Sequence, residues 1–288
     1  MRQTLVALLV LLTLAGLTFA LVSHEVKDPQ LNEISGIAAS RMNKDIYYVH
    51  NDSGGKNEVY ALDKKGKLVA ILILTGVKNR DWEDIAIGPG PGTGIPYIYV
   101  GEIGDNNGKH RNLCLYLFKE PVLSAKTVKR NKNIKITEID SLGFIFADGP
   151  KDCETLMIDP ANGDVWLVSK REAKVGVYQI PAPLRRDTLN VAKRVLTLNF
   201  PLAVSGDISP QRNYILLKTY GNVYGWQLKP NQSIAEALSL PPVTLPYEVE
   251  PQGEAICFSA SGKSYFTISE KTKDNPLFLN SYKLSFVR

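Results

Sequence analysis

Read for hydrophobic and polar positions, the chain repeats one pattern five times. EISGIAAS (33–40), DWEDIAIG (81–88), DCETLMID (152–159), VSGDISPQ (204–211) and GEAICFSA (253–260) each set a Ser or Glu against a short apolar run. Positions 35, 83, 154, 205 and 254 mark the five stretches, at spacings of 48, 71, 51 and 49 residues. Periods of this length belong to architectures in which each unit is one small sheet. A second run follows each stretch: DIYYVH, PYIYVGE, DVWLVSK, NYILLK and SYFTIS. A third comes next: EVYALD, LCLYLF, VGVYQI, VYGWQL and FLNSYKL. The first four units add a fourth: LVAILIL, IDSLGFIF, RVLTLNF and SLPPVTL. These runs are short, rich in β-branched and aromatic residues, and bounded by Gly, Pro, Asn and Asp, so they read as strands. No stretch sustains a helical period; Ser233 to Leu240 comes nearest.

The pattern predicts an all-β fold, a five-bladed β-propeller of four-stranded blades. The fifth unit runs out at Arg288 after three strands, and Leu21 to Val26 is expected to supply the fourth. Pairing of the N- and C-terminal strands would close the ring and cover an exposed sheet edge. The longest interval holds an insertion around 121–140, too polar and basic to form a sixth blade.

The first twenty residues change the setting. Arg2 precedes an apolar run from Leu5 to Ala20, with small residues at Thr18 and Ala20. Residues 1–20 therefore read as a cleaved signal peptide and 21–288 as one propeller domain, secreted, with no membrane association after cleavage. The alternative is an uncleaved anchor, since the run nears the minimum spanning length of ~17 residues. The formal charge of +5, spread along the chain, gives weak support for anionic ligands and none for nucleic acid. Cys114, Cys153 and Cys257 leave open one bridge plus a free thiol, or three buried thiols. Asn51 and Asn231 begin glycosylation sequons, meaningful in a eukaryotic secretory route.

In a propeller the first strand of each blade lines the central channel. Ser35, Glu83, Glu154, Ser205 and Glu254 would then converge on one ring. Three carboxylates in a narrow channel repel one another unless they hold protons or share a cation. Oxygen ligands without His or Cys favour a hard ion, and the ring suits Ca2+, which accepts ~6–8 oxygens. Alignment on the following turn would put Val204 in the ring instead of Ser205; Asp84 and Asp207 are further candidates if side chains alternate differently. The second-strand ends should surround the ion's mouth. They carry His50-Asn51-Asp52, Glu102 with Asp105-Asn106, Lys170-Arg171-Glu172, Lys218 with Tyr220, and Glu270-Lys271. Lys170, Arg171, Lys218 and Asn106 are candidates for binding a small anionic ligand.

Other motifs carry less. GPGPGTG (88–94) reads as a hairpin loop and Gly262-Lys263-Ser264 as a turn, because neither has the rest of a phosphate loop. His24, His50 and His110 lack zinc spacing, and no G-x-S-x-G elbow occurs.

The motifs ISG (34–36), WEDIA (82–86), CETL (153–156), VSG (204–206) and GEAI (253–256), in the order Ser, Glu, Glu, Ser, Glu, resemble the calcium-activated nucleotidase (apyrase) family. GEIGDN (101–106) and SKRE (169–172) are similar in kind to that family's nucleotide-facing segments. The resemblance implies a five-bladed propeller and channel calcium on those residues. The short loops leave little room for an apyrase's active-site segments. DCETL and EPQGEA (250–255) also resemble a broad group of secreted propeller-like proteins. Three functions follow as expectations. The first is a secreted calcium-binding module for an anionic or polar ligand or a matrix component. The second is a calcium-dependent hydrolase of nucleoside di- or triphosphates, with Glu102 or Asp105 orienting water. The third is a lactonase-like esterase.

Overall fold

The structure is a computed structural model and describes residues 21–92, 94–123, 132–273 and 275–285. Residues 1–20 and most of the basic insertion lie outside the described residues. The first described residues form β1 (Leu21–Val26), and the first repeat gives β2 (Ile34–Ala39), β3 (Ile46–Asn51), β4 (Glu58–Asp63) and β5 (Leu68–Leu74). The second gives β6 (Trp82–Pro89), β7 (Pro96–Glu102) and β8 (Leu113–Lys119), then β9 (Lys132–Ile136) and β10 (Asp140–Phe146). The third gives β11 (Cys153–Ile158), β12 (Val165–Ser169), β13 (Gly176–Ile180) and β14 (Asn190–Thr197). The fourth gives β15 (Ala203–Ile208), β16 (Tyr214–Thr219), β17 (Val223–Gln227), a short helix α1 (Ile234–Leu238) and β18 (Val243–Leu245). The fifth gives β19 (Gly253–Phe258), β20 (Ser264–Ser269) and β21 (Leu277–Lys283).

Within each repeat the strands pair antiparallel in succession outward from the first, except in the second, where β10 follows β8 directly. The N-terminal closure is present: β1 pairs antiparallel with β21, from Leu21 opposite Tyr282 to Val26 opposite Leu277. The ladders are not uniform. β9, from the insertion, adds to β5 as a parallel edge strand, Ala70 opposite Lys132 to Leu74 opposite Ile136. β10 pairs in parallel with β14, joining the second and third repeats into one eight-stranded sheet. The helical segment is held by a capping box, with Ser233 Oγ accepting the Glu236 N–H at 3.2 Å and Glu236 Oε2 accepting the Ser233 N–H at 2.8 Å.

The first strands pack side by side in a cycle: β2 on β6, β6 on β11, β11 on β15, β15 on β19, and β19 back on β2. This is β-propeller architecture, and the apolar residues between neighbouring sheets form its core. The inner strands approach closely because they use small residues. A Cβ built on Gly36 would lie 2.6 Å from His50 Nε2 and 2.8 Å from the Ile85 backbone nitrogen. Gly36→Ala is therefore expected to cost about 1–3 kcal/mol through overpacking. Urea unfolding checks it, and an unchanged midpoint would mean that β2 and β6 can separate without cost.

Candidate acid site at the channel mouth

Each first strand carries a bulge at its start, where the register with the second strand skips one residue. The skips fall between Ile34 and Gly36, Trp82 and Asp84, Cys153 and Thr155, Ala203 and Ser205, and Gly253 and Ala255. The skipped residues are Ser35, Glu83, Glu154, Val204 and Glu254. A bulge frees one residue from the ladder and re-aims its side chain, so five bulges single out five side chains at one end of the channel.

Val204, not Ser205, holds the fourth place. ISG and VSG look alike, yet Ser35 is skipped while Ser205 stays in register opposite Lys218. Ser205 lies one step along its strand. Its hydroxyl meets both carboxylate oxygens of Asp84 at 3.2 Å and accepts the Ile256 N–H at 3.3 Å. Asp84 also accepts the N–H of Ile85 and of Leu156, each at 2.9 Å, so it ties β6 to β11 and β15 from a fully buried position. Asp207 is similarly engaged, accepting the Phe258 N–H at 2.8 Å. Ser35 keeps its predicted place, but its hydroxyl donates to the Glu83 carbonyl.

The three predicted glutamates come together with acids from neighbouring loops. One carboxylate oxygen each from Glu83, Asp152 and Glu154 lie within 4.8 Å of one another, as do those of Asp52, Asp81 and Glu83, and those of Asp52, Glu254 and Glu270. Burial raises the Glu83 carboxyl well above the ordinary range, and the charges of Glu154, Asp52, Asp81 and Glu254 push it further. No donor among the described residues bonds the Glu83 carboxylate, although Glu83 is 3% exposed. Burial lifts Glu154 to about 8 against the opposing pull of Lys170, Asp52 to about 6 and Glu270 to about 7. Gly104 leaves the space these groups occupy: a Cβ there would sit 2.2 Å from Glu83 Oε1 and 2.5 Å from Asp81 Oδ2.

The bases are already partnered. The Lys170 ammonium pairs with Glu154 and lies 3.8 Å from Glu254, whose Oε1 accepts the Tyr220 hydroxyl at 2.6 Å. Burial alone would lower Lys170, but the Glu154 carboxylate outweighs it and holds the ammonium charged. Arg171 binds Asp152 and the Asn106 side-chain oxygen. Lys218 is fully buried, donates to the Gly253 carbonyl, and sits 4.5 Å from the Tyr247 ring centre; burial lowers it to about 8. Glu102 accepts Arg80 Nε at 2.9 Å and the Asp81 N–H at 2.8 Å. Asp105 closes its own loop by accepting the Lys109 and His110 N–H groups at 2.8 Å each. The candidates for orienting water are thus committed to shaping the rim.

Sequence reasoning passed over Asp81 and Asp152 as participants. Both stand two residues before a ring glutamate, in DWE (81–83) and DCE (152–154), and that repeated spacing was a legible signal. The Asn51 amide is buried, with Nδ2 donating to the Gln30 carbonyl at 2.7 Å, so a glycan there would require that bond to open. Asn231 is exposed in a turn with φ 63°. The three cysteines are free thiols, Cys153 and Cys257 buried.

No family model matches the chain, and no curated protein matches it. Among solved structures it is similar to one described as "Structure of Dos1 propeller", at 14% identity and a TM-score of 0.38, over 87% of this chain and 68% of that one.

Proposed function

We propose that the protein is a secreted five-bladed propeller that holds a calcium ion among the acids where its inner strands begin. The clamped ring then serves as an extracellular binding module for a small anionic or polar ligand or a matrix component. One observation carries the cation: a buried glutamate, Glu83, surrounded by other acids, with no donor bonding its carboxylate. Burying an uncompensated carboxylate is costly unless a proton or a cation accompanies it. The nearby donors are oxygens, which favours a hard ion, and they come from separate loops and strands, which suits calcium's tolerant geometry better than magnesium's octahedron. Glu83 is the ring residue positioned to hold it, with Glu154, Glu254 and Ser35 from the same ring around it. Calcium, when bound, would neutralise these carboxylates and draw adjacent inner strands together.

Phosphoanhydride hydrolysis is less well supported. Lys170, Arg171 and Lys218, which would grip phosphates, are bound to Glu154, Asp152 and the Gly253 carbonyl. Equilibrium dialysis with calcium and magnesium, beside phosphate release from ADP, UDP and GDP, tests both readings. The expected result is retained calcium, removed by chelator, without turnover. Calcium-dependent phosphate release would replace the module with an enzyme, and failure to retain calcium would remove the cation.

A further inference from the structure

We propose, resting on the cation reading above, that the ion sits off the channel centre on Asp52, Asp81 and Glu83, while the Lys170 ammonium fills the Glu154–Glu254 half of the ring. The acid cluster has two unlike sides. On one side a built-in cation is present: Lys170 pairs with Glu154, lies 3.8 Å from Glu254, and stands 5.2 Å from the ring centre of Tyr220, which itself bonds Glu254 at 2.6 Å. Those two glutamates have their counter-charge. Asp152, near Glu83 and Glu154, is likewise paired, with Arg171, and accepts the Asp105 N–H at 2.9 Å.

On the other side the nearest cation, the Arg80 guanidinium, is committed to Glu102 at 2.9 Å and to the Gly104 carbonyl, and it bonds none of Asp52, Asp81 and Glu83. Oxygens of Asp52, Asp81 and Glu83 lie within 4.8 Å of one another, close enough to share one ion. Glu83 is 3% exposed and turns a carboxylate without a donor into this group. The Gly104 backbone stands against Glu83 and Asp81, where any side chain would collide with both. Three carboxylates with no cationic side chain bonded to them make a site for a hard divalent cation, with water completing its shell. Two of the three residues come from the loops after β3 and before β6, so the ion would bridge the first and second repeats. A divalent ion at the centre would instead have to share space with Lys170, and like charges in a low-dielectric site repel strongly.

Calorimetric titration of the protein with calcium chloride separates the positions. One ion is expected, with affinity reduced at least ~10-fold in Asp52→Asn and in Asp81→Asn, and changed by less than about threefold in Glu154→Gln. Terbium luminescence sensitised through Trp82, next to Glu83, gives a second readout should either aspartate variant fold poorly; emission should be lost in the variant that folds and kept in Glu154→Gln. If Glu154→Gln abolishes binding while the aspartate variants retain it, the ion is central and this inference falls, though the cation reading stands. If the unmodified protein binds no calcium, both fall together.

Discussion

In the presence of chelator the protein is expected to lose stability as the pH rises from about 6.5 to 8, and millimolar calcium to reverse that loss. The argument rests on acids whose pKa is higher folded than unfolded. Such a group keeps its proton in the folded state after the unfolded chain has released it. Its contribution is complete below the unfolded value and declines as the pH climbs toward the folded one. Glu83 is pushed well upward and Glu270 moves from 4.5 to about 7, both chiefly through burial, whereas Glu154 is ion-paired with Lys170 and stays out of the count. His50 works the other way, since burial lowers it from 6.5 to about 4, but less than about 0.5 kcal/mol of its effect remains above pH 6.5. Lys218, lowered to about 8, begins to add stability only above the window. A single carboxyl that remains protonated across this window corresponds to about 2 kcal/mol. For a chain of this size that is a Tm decrease of roughly 4–8 °C. Calcium replaces the protons, so its stabilising effect should be largest at pH 8 and small near pH 5; at 100 times its Kd it would add about 2.7 kcal/mol. Melting curves at three pH values, with calcium and with chelator, decide it. A Tm that holds or climbs from pH 6.5 to 8 in chelator would contradict the buried acid cluster.

Most of the fold was legible because strand periodicity and turn residues are local signals. EVYALD, LVAILIL, PYIYVGE and SYFTIS match β4, β5, β7 and β20 residue for residue, and LVSHEV closes on the last strand as expected. The parallel pairings of β9 with β5 and of β10 with β14 were not legible. They join segments through edges that carry no pattern of their own, and only the packed geometry brings those edges together. The ring glutamates were legible because three of the repeats set a glutamate at the same place directly before an apolar run. Ser205 was misplaced for the same reason: two similar tripeptides differ by one step in register, and register is set by pairing with the second strand. Lys170 as a counter-ion inside the cluster was also hidden. A lysine at a strand end reads as solvated until the fold buries it against Glu154.

Glu83 and Asp84 are adjacent acids at the start of one strand, and their removal is expected to have opposite consequences. Glu83 is skipped by the ladder, meets other carboxylates, and gains no hydrogen-bond donor in return. Glu83→Gln removes a source of repulsion, so the metal-free protein at pH 8 should become more stable by about 1–2 kcal/mol. The same change removes a ligand, so calcium should no longer raise the Tm. Asp84 stays in register, fully buried, and is the acceptor for the Ile85 and Leu156 N–H groups and the Ser205 hydroxyl. Asp84→Ala leaves those donors unsatisfied between three inner strands and opens a void, for a loss of about 3–5 kcal/mol with or without metal. The calcium increment should survive in that variant, because Asp84 faces the neighbouring strands and not the acid cluster. Chemical unfolding in chelator and in calcium measures all four quantities. If Glu83→Gln destabilises the metal-free protein as Asp84→Ala does, then both acids are structural acceptors and the bulge does not separate their roles.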